Sequence, residues 1–194
     1  MEEIRGLVVK STGSWYDIEK EDGQRISARL KGKFRLKGLK STNPVAVGDF
    51  IRFHMEGDEG VIHTIEDRKN YIVRRSINLS KQIQIIAANV DLLFLVITID
   101  HPPTTLGFVD RFLAGAEAYR IPTVLVYNKI DLYQTAKQKE ELNQWKAIYD
   151  LAGYEQLEVS AEKKIGIEEL KAMMKGKTSI FSGHSGVGKS TLVN

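Results

Sequence analysis

The 194-residue sequence contains no cysteine, which excludes disulfides and any Cys-based zinc site in this stretch. Histidine is scarce: His54, His63, His101 and His184 are scattered and show no ligand spacing. Long apolar runs are missing as well. The most hydrophobic stretch, residues 92–99, is bounded by Asp91 and Asp100 and is too short to span a bilayer. The first residues, Met1-Glu2-Glu3-Ile4-Arg5, lack the basic-then-apolar pattern of a secretory signal. These absences lead us to expect a cytoplasmic protein with no membrane association. A further absence is local: residues 25–40 hold no acid, while Arg25, Arg29, Lys31, Lys33, Arg35, Lys37 and Lys40 are all basic. Such a run attracts phosphate backbones, and it equally describes an ordinary solvated loop.

What is present is the make-up of a soluble globular chain, 42% hydrophobic and 27% charged. Its length suits one large domain or two small ones. Charge divides unevenly. Over residues 1–82, 16 lysines and arginines stand against 12 acids, and over the remainder 12 stand against 13. The pattern divides at a similar place. Residues 6–10, 15–19, 25–29, 49–54 and 60–65 alternate polar and apolar positions between glycine-rich turns. This predicts five short strands in a small all-β barrel of the OB type. Trp15, Tyr16 and Phe34 have rings that can stack on bases, although barrel aromatics are more often buried.

From residue 85 the period changes. Residues 89–98 form a continuous apolar run, as expected of a central parallel strand covered on both faces. A helix is expected over residues 108–120, with Phe108, Phe112, Ala116 and Tyr119 on its apolar face. A strand over 123–127, a charged helix over 137–151, a strand over 157–159, a helix over 167–174 and a strand over 178–181 follow. Strands alternating with helices indicate an α/β fold with a mainly parallel sheet. The expected division is a barrel domain over 1–70, a linker over 71–84 and an α/β domain over 85–194. The Arg74-Arg75 pair and the His101-Pro102-Pro103 turn read as linker chemistry.

Two motifs carry the chemistry. Gly183-His184-Ser185-Gly186-Val187-Gly188-Lys189-Ser190, with Thr191 next, fits the phosphate-binding P-loop and follows a predicted strand. Its glycines permit close backbone approach to an anion. Amides from Ser185 to Ser190 can wrap phosphates, Lys189 can neutralise β- and γ-phosphate charge, and the Ser190 hydroxyl can bind Mg²⁺. His184 occupies a variable position of the motif and is read as non-catalytic. The second motif, Asn128-Lys129-Ile130-Asp131, has the N-K-x-D form that reads guanine in GTPases. The Asp131 carboxylate can accept from guanine N1–H and N2–H₂, an edge on which adenine offers no such pair. Ser160-Ala161 supplies a small residue whose amide can meet guanine O6. Asn128, Ser160 and Gly183 each follow a predicted strand, so three segments should meet at one sheet edge. The order is inverted, because N-K-x-D normally follows the P-loop and here precedes it by about 55 residues. An ATP-using P-loop enzyme would fit residues 183–190 alone, and Asn128 to Asp131 argue against it.

A barrel followed by N-K-x-D, Ser-Ala and P-loop, in that order, resembles the RsgA (YjeQ/YloQ) family. The residues that carry the resemblance are Ala88-Asn89-Val90-Asp91, Asn128-Lys129-Ile130-Asp131-Leu132, Val159-Ser160-Ala161 and the Ser-Gly-Val-Gly-Lys-Ser core. The resemblance implies a circularly permuted P-loop GTPase with an N-terminal OB-fold barrel. It implies GTP/GDP and Mg²⁺ as ligands, with Lys189 and Ser190 as the catalytic residues of this stretch. It further implies GTP hydrolysis on the small (30S) ribosomal subunit during late maturation, and a barrel that grips 16S rRNA through the basic stretch 25–40. We expect a monomer. Family members continue with switch segments and a zinc-binding domain, so the resemblance places those beyond residue 194 and implies slow turnover by this stretch alone. The alternative reading is an RNA-binding scaffold whose guanine-nucleotide site is regulatory and only weakly hydrolytic.

Overall fold

The computed structural model describes residues 2–30, 44–75 and 83–194. The chain forms two compact units, residues 1–90 and 91–194. Phe34 and the basic residues Lys31, Lys33, Arg35, Lys37 and Lys40 lie outside the described residues.

In the first unit, strands β1 (Ile4–Thr12), β2 (Trp15–Lys20), β3 (Arg25–Leu30), β4 (Phe50–Glu56) and β5 (Glu59–Ile65) close into a barrel of order β1-β2-β3-β5-β4. Neighbours pair antiparallel except β3 and β5, whose parallel pairing joins the strands on either side of the long 31–49 connection. This is the OB-type barrel expected from the alternation. Its inward positions, Val8, Tyr16, Ile18, Ala28, Ile51, Phe53 and Ile62, are fully or almost fully buried. Tyr16 is therefore a core residue. Its neighbour Trp15 is exposed, because successive side chains point to opposite faces of a strand.

One buried ion pair ties the segment before β4 to the segment after β5. Asp49 is fully buried, and Arg68 grips it through Nε and Nη2 at 2.6 Å each while also donating to Pro44 O at 2.7 Å. The Ala46 amide donates to the same carboxylate at 2.8 Å. The carboxylate thus joins the chain entering β4 to the chain leaving β5.

Of residues 71–84, expected as a linker, 71–75 and 83–84 are described, and 76–82 lie outside the described residues. Strand β6 (Tyr71–Arg75) pairs antiparallel with β7 (Ile83–Ala88), a two-stranded sheet whose Ile85 and Ala88 bury with Ala46. Asn70 exchanges two hydrogen bonds of 2.8 Å with the Val90 backbone, and Asn89 donates to Gly48 O at 2.9 Å. The segment thus packs onto the barrel unit, because its alternate apolar residues have a surface to cover. Arg74 and Arg75 are the last two residues of β6.

The second unit is a four-stranded parallel sheet of order β10-β9-β8-β11, with β8 Leu92–Ile97, β9 Thr123–Tyr127, β10 Glu155–Glu158 and β11 Ser179–Ser182. All six residues of β8 are buried, as the continuous apolar run requires. Helices α1 (Leu106–Ala118), α2 (Ala136–Leu151), α3 (Ile167–Met174) and α4 (Lys189–Val193) connect or follow the strands. The Thr105 hydroxyl caps α1, and Thr135 and Gln138 form a reciprocal capping box on α2. The expected face of α1 is corrected: Val109, Leu113 and Ala116 are buried, while Phe108 and Phe112 are half-buried and Tyr119 exposed. Both rows fit helical spacing, and only the position of the sheet selects between them. Tyr149 of α2 donates to Asp110 of α1 at 2.9 Å, and burial together with that carboxylate pushes the phenol pKa up. Among the described residues no helix is long and apolar enough to cross a membrane.

Replacing Asp49 with Ala leaves the Arg68 charge buried and alone. It is expected to lower the unfolding free energy of the first unit by about 3–5 kcal/mol in denaturant titrations. The exposed pair of Arg29 with Glu56 and Glu59 provides the contrast, since Arg29→Ala should cost no more than about 1 kcal/mol.

Candidate nucleotide-binding site

All four strands of the second unit end at the same edge, and the segment after each contributes to one site. β11 leads into Gly183, whose φ of 140° lies outside the range favoured by L-residues and where a Cβ would overlap Val96 O of the neighbouring strand. Val187 is fully buried in the core beside Val96 and Val126, which anchors the loop from below. Lys189, the first residue of α4, arches back so that Nζ donates to Gly183 O at 2.8 Å and His184 O at 2.6 Å. Among the described residues no acceptor pairs with the amides of Ser185, Gly186, Val187 or Gly188. A loop of unpaired donors followed by a lysine has the chemistry of a phosphate cradle. The Ser190 side chain is exposed one residue further on. A single hydroxyl fits Mg²⁺, which is usually held by few protein ligands together with phosphate oxygens and water.

β9 delivers Asn128, only 1% exposed. Its Nδ2 donates to Val187 O at 2.8 Å, and its Oδ1 accepts from the Ala161 amide at 3.3 Å. A Cβ on Gly188 would overlap that same Nδ2, so glycine is required there both by space and by its φ of 95°. Lys129, in the left-handed region at φ 64°, donates from Nζ to Gly186 O at 2.8 Å and His101 O at 2.6 Å. Ile130 donates its amide to Val159 O at 3.3 Å and opens a single 3₁₀ turn, Ile130–Leu132, that presents Asp131. Among the described residues the Asp131 carboxylate makes no hydrogen bond or ion pair. It lines a cleft of about 190 Å³ with Asn128, Lys129, Ser160, Ala161, Gly188 and Thr191. The Ser160 hydroxyl is fully buried and accepts from the Lys163 amide at 3.0 Å, so it shapes the turn.

The site therefore joins Asn128, Lys129, Asp131, Ser160, Ala161 and the 183–191 segment. It also includes residues that the sequence reading set aside. The His101-Pro102-Pro103 turn belongs to the site: His101 O holds Lys129, and Pro102 lies beside Gly186. The His184 ring packs on Phe108 of α1 with centroids 3.8 Å apart. Tyr133, which had no motif to mark it, is 4% exposed and bridges Asn128 O and the Ile99 amide. The available signal for the 101–103 turn was its place after an apolar strand, at the edge where ligands bind.

On the barrel, Arg25 is paired with Glu19 at 3.1 Å, and Arg29 with Glu56 at 3.1 Å and Glu59 at 3.3 Å. Both pairs lie on the exposed surface of the barrel. Among the described residues no group of three His, Asp or Glu side chains is placed to hold a metal ion.

Comparison with known proteins places the family boundary at residues 62–65, close to the end of β5 and inside the first compact unit. Residues 65–194 match the family model described as the RsgA GTPase, and residues 5–62 match the RsgA N-terminal domain. The small ribosomal subunit biogenesis GTPase RsgA of Flavobacterium johnsoniae is 54% identical over 195 residues, covering 98% of this chain and 60% of that protein. RsgA 2 of Bacteroides thetaiotaomicron is 52% identical, covering 98% of this chain and 62% of its own length. The chain thus spans about three fifths of the curated relatives it matches. Among solved structures, that of YjeQ from Thermotoga maritima superposes with a TM-score of 0.81 at 38% identity, covering 100% of this chain and 64% of that one. YloQ, described as a circularly permuted GTPase, superposes at 0.77 with 27% identity, covering 99% and 63%.

Gly188→Ala tests how tightly the two motifs interlock. The left-handed backbone should cost about 1–2 kcal/mol in unfolding experiments. The displaced Asn128 carboxamide should at the same time release the Ala161 amide to faster hydrogen exchange.

Proposed function

Because the chain belongs to the RsgA family of circularly permuted GTPases, we propose that its second unit binds guanine nucleotide and that the protein containing it hydrolyses GTP in maturation of the small ribosomal subunit. The observation that carries this reading is the unpaired Asp131 carboxylate in a cleft whose other wall is the phosphate loop. An unpaired carboxylate at the mouth of a half-enclosed cleft favours a base with two donors on one edge, and guanine has that edge. Asn128 frames the base side and Lys129 covers it, each also bonded to the phosphate loop.

The unpaired amides of residues 185–188 bind the phosphates, and Lys189 exchanges its present contacts with Gly183 O and His184 O for phosphate oxygens. The Ser190 hydroxyl would hold Mg²⁺. The ion, if bound there, would supply positive charge against the phosphates. The same fixed donors stabilise charge as it develops on the transferred phosphoryl group, with no reorganisation needed during the reaction.

We further propose that the barrel unit contacts 16S rRNA. The contact is assigned to Arg25, Arg29, Lys31, Lys33, Arg35, Lys37 and Lys40, with exposed Trp15 beside Arg29 in the β2–β3 register as a stacking surface. We propose, too, that the protein works in the cytoplasm and as a monomer.

Two measurements test this reading. Co-sedimentation of the intact protein with purified small subunits should be strongest with a non-hydrolysable GTP analogue and weaker with GDP; no sedimentation in any state overturns the ribosomal assignment. In the second, Asp131→Asn replaces an acceptor with a donor, so GDP affinity should fall at least about 100-fold while affinity for xanthosine diphosphate rises. Unchanged GDP affinity would remove Asp131 from the base site.

A further inference from the structure

We infer that Tyr133 is a positioning residue for nucleotide retention, its hydroxyl locking the Asn128 backbone to Ile99 in the segment that follows β8. The inference rests on the guanine-nucleotide reading above and names a residue that neither motif contains.

The hydroxyl has two partners, and their chemistry fixes its direction. The Ile99 amide can only donate, and it reaches the Tyr133 oxygen at 2.9 Å. The hydroxyl proton is therefore directed to Asn128 O, 2.8 Å away. Both contacts are buried, with Tyr133 4%, Asn128 1% and Ile99 5% exposed. Burial pushes the phenol up to about 12, so it remains a neutral donor at any physiological pH. A phenylalanine would fill nearly the same volume and leave a buried amide and a buried carbonyl without partners.

The position of these partners gives the bond its consequence. Asn128 O belongs to the residue whose side chain spans Val187 O and the Ala161 amide. Ile99 lies two residues before His101, whose carbonyl holds Lys129. One hydroxyl thus joins both anchor points of the Asn128 and Lys129 bridges to the phosphate loop. Loss of the lock lets Asn128 shift, which loosens the base wall and the phosphate loop together. Nucleotide release accelerates as a result.

The test is stopped-flow release of fluorescently labelled GDP from the intact protein, comparing wild type, Tyr133→Phe, Asn128→Ala and the double variant. Tyr133→Phe should release GDP about tenfold faster, the loss expected from one buried hydrogen bond. Asn128→Ala should have a larger effect, and the double variant should be no faster than Asn128→Ala alone, because both act through one element. Wild-type release kinetics for Tyr133→Phe, or strictly multiplicative effects in the double variant, overturn the inference. A second measurement needs no variant: hydrogen exchange at the Ile99 amide of the wild type should slow when GDP is bound, and an unchanged rate counts against the lock. If the wild type takes up no GDP at all, the guanine-nucleotide reading itself fails, an outcome distinct from either of the others.

Discussion

The Asn128 carboxamide is the interaction on which the second unit's site depends. A carboxamide carries a donor and an acceptor on one planar group, so it can join two backbone segments that have opposite needs. Here it satisfies the Val187 carbonyl of the phosphate loop and the Ala161 amide of the segment after β10. With Asn128 itself at the end of β9, three loops from separate strands share one buried group. Gly188 is required because the carboxamide occupies the space a side chain would need. Lys129 adds a second bridge from the same loop, to Gly186 O and His101 O. The Asn128–Asp131 segment and the phosphate loop are therefore one mechanical unit.

The inverted order of the motifs does not disturb this unit. In a parallel sheet the loops at the carboxyl ends meet because of strand order in space, β10-β9-β8-β11, and this is independent of which strand comes first along the chain. Permutation moves the phosphate loop to the end of residues 91–194 while its contacts with Asn128 and Lys129 stay local in space. The barrel unit has its own anchor in the buried Asp49–Arg68 pair, which fastens the entry to β4 against the exit from β5.

Much of this was legible in the chain. The strand alternation of residues 6–65, closed in the structure as β1-β2-β3-β5-β4, reflects a one-sided core, and such a core leaves a period of two. The buried run at β8 and the helix at Ile167–Met174 were equally plain. The face of α1 was not, since Val109 and Leu113 share their spacing with Phe108 and Phe112. Nor was the β6–β7 hairpin, whose short strands gain stability only by packing beside Ala46. Tyr133 left no signal because a buried aromatic after a turn looks like any core residue until its hydroxyl partners are known.

By itself the sequence determined the two periodicities, the motif chemistry and hence the family, because side-chain alternation and the residue types of a phosphate loop are local properties. Only the tertiary structure decided which carbonyls Lys129 and Asn128 hold, that the His101-Pro102-Pro103 turn belongs to the site, that Arg25 and Arg29 meet acids on the barrel surface, and that Tyr133 joins the segment after β8 to the base loop. Each of these joins residues distant along the chain. A hydrogen bond between such groups is set by strand order and loop path, and neither is written in the residues that make it.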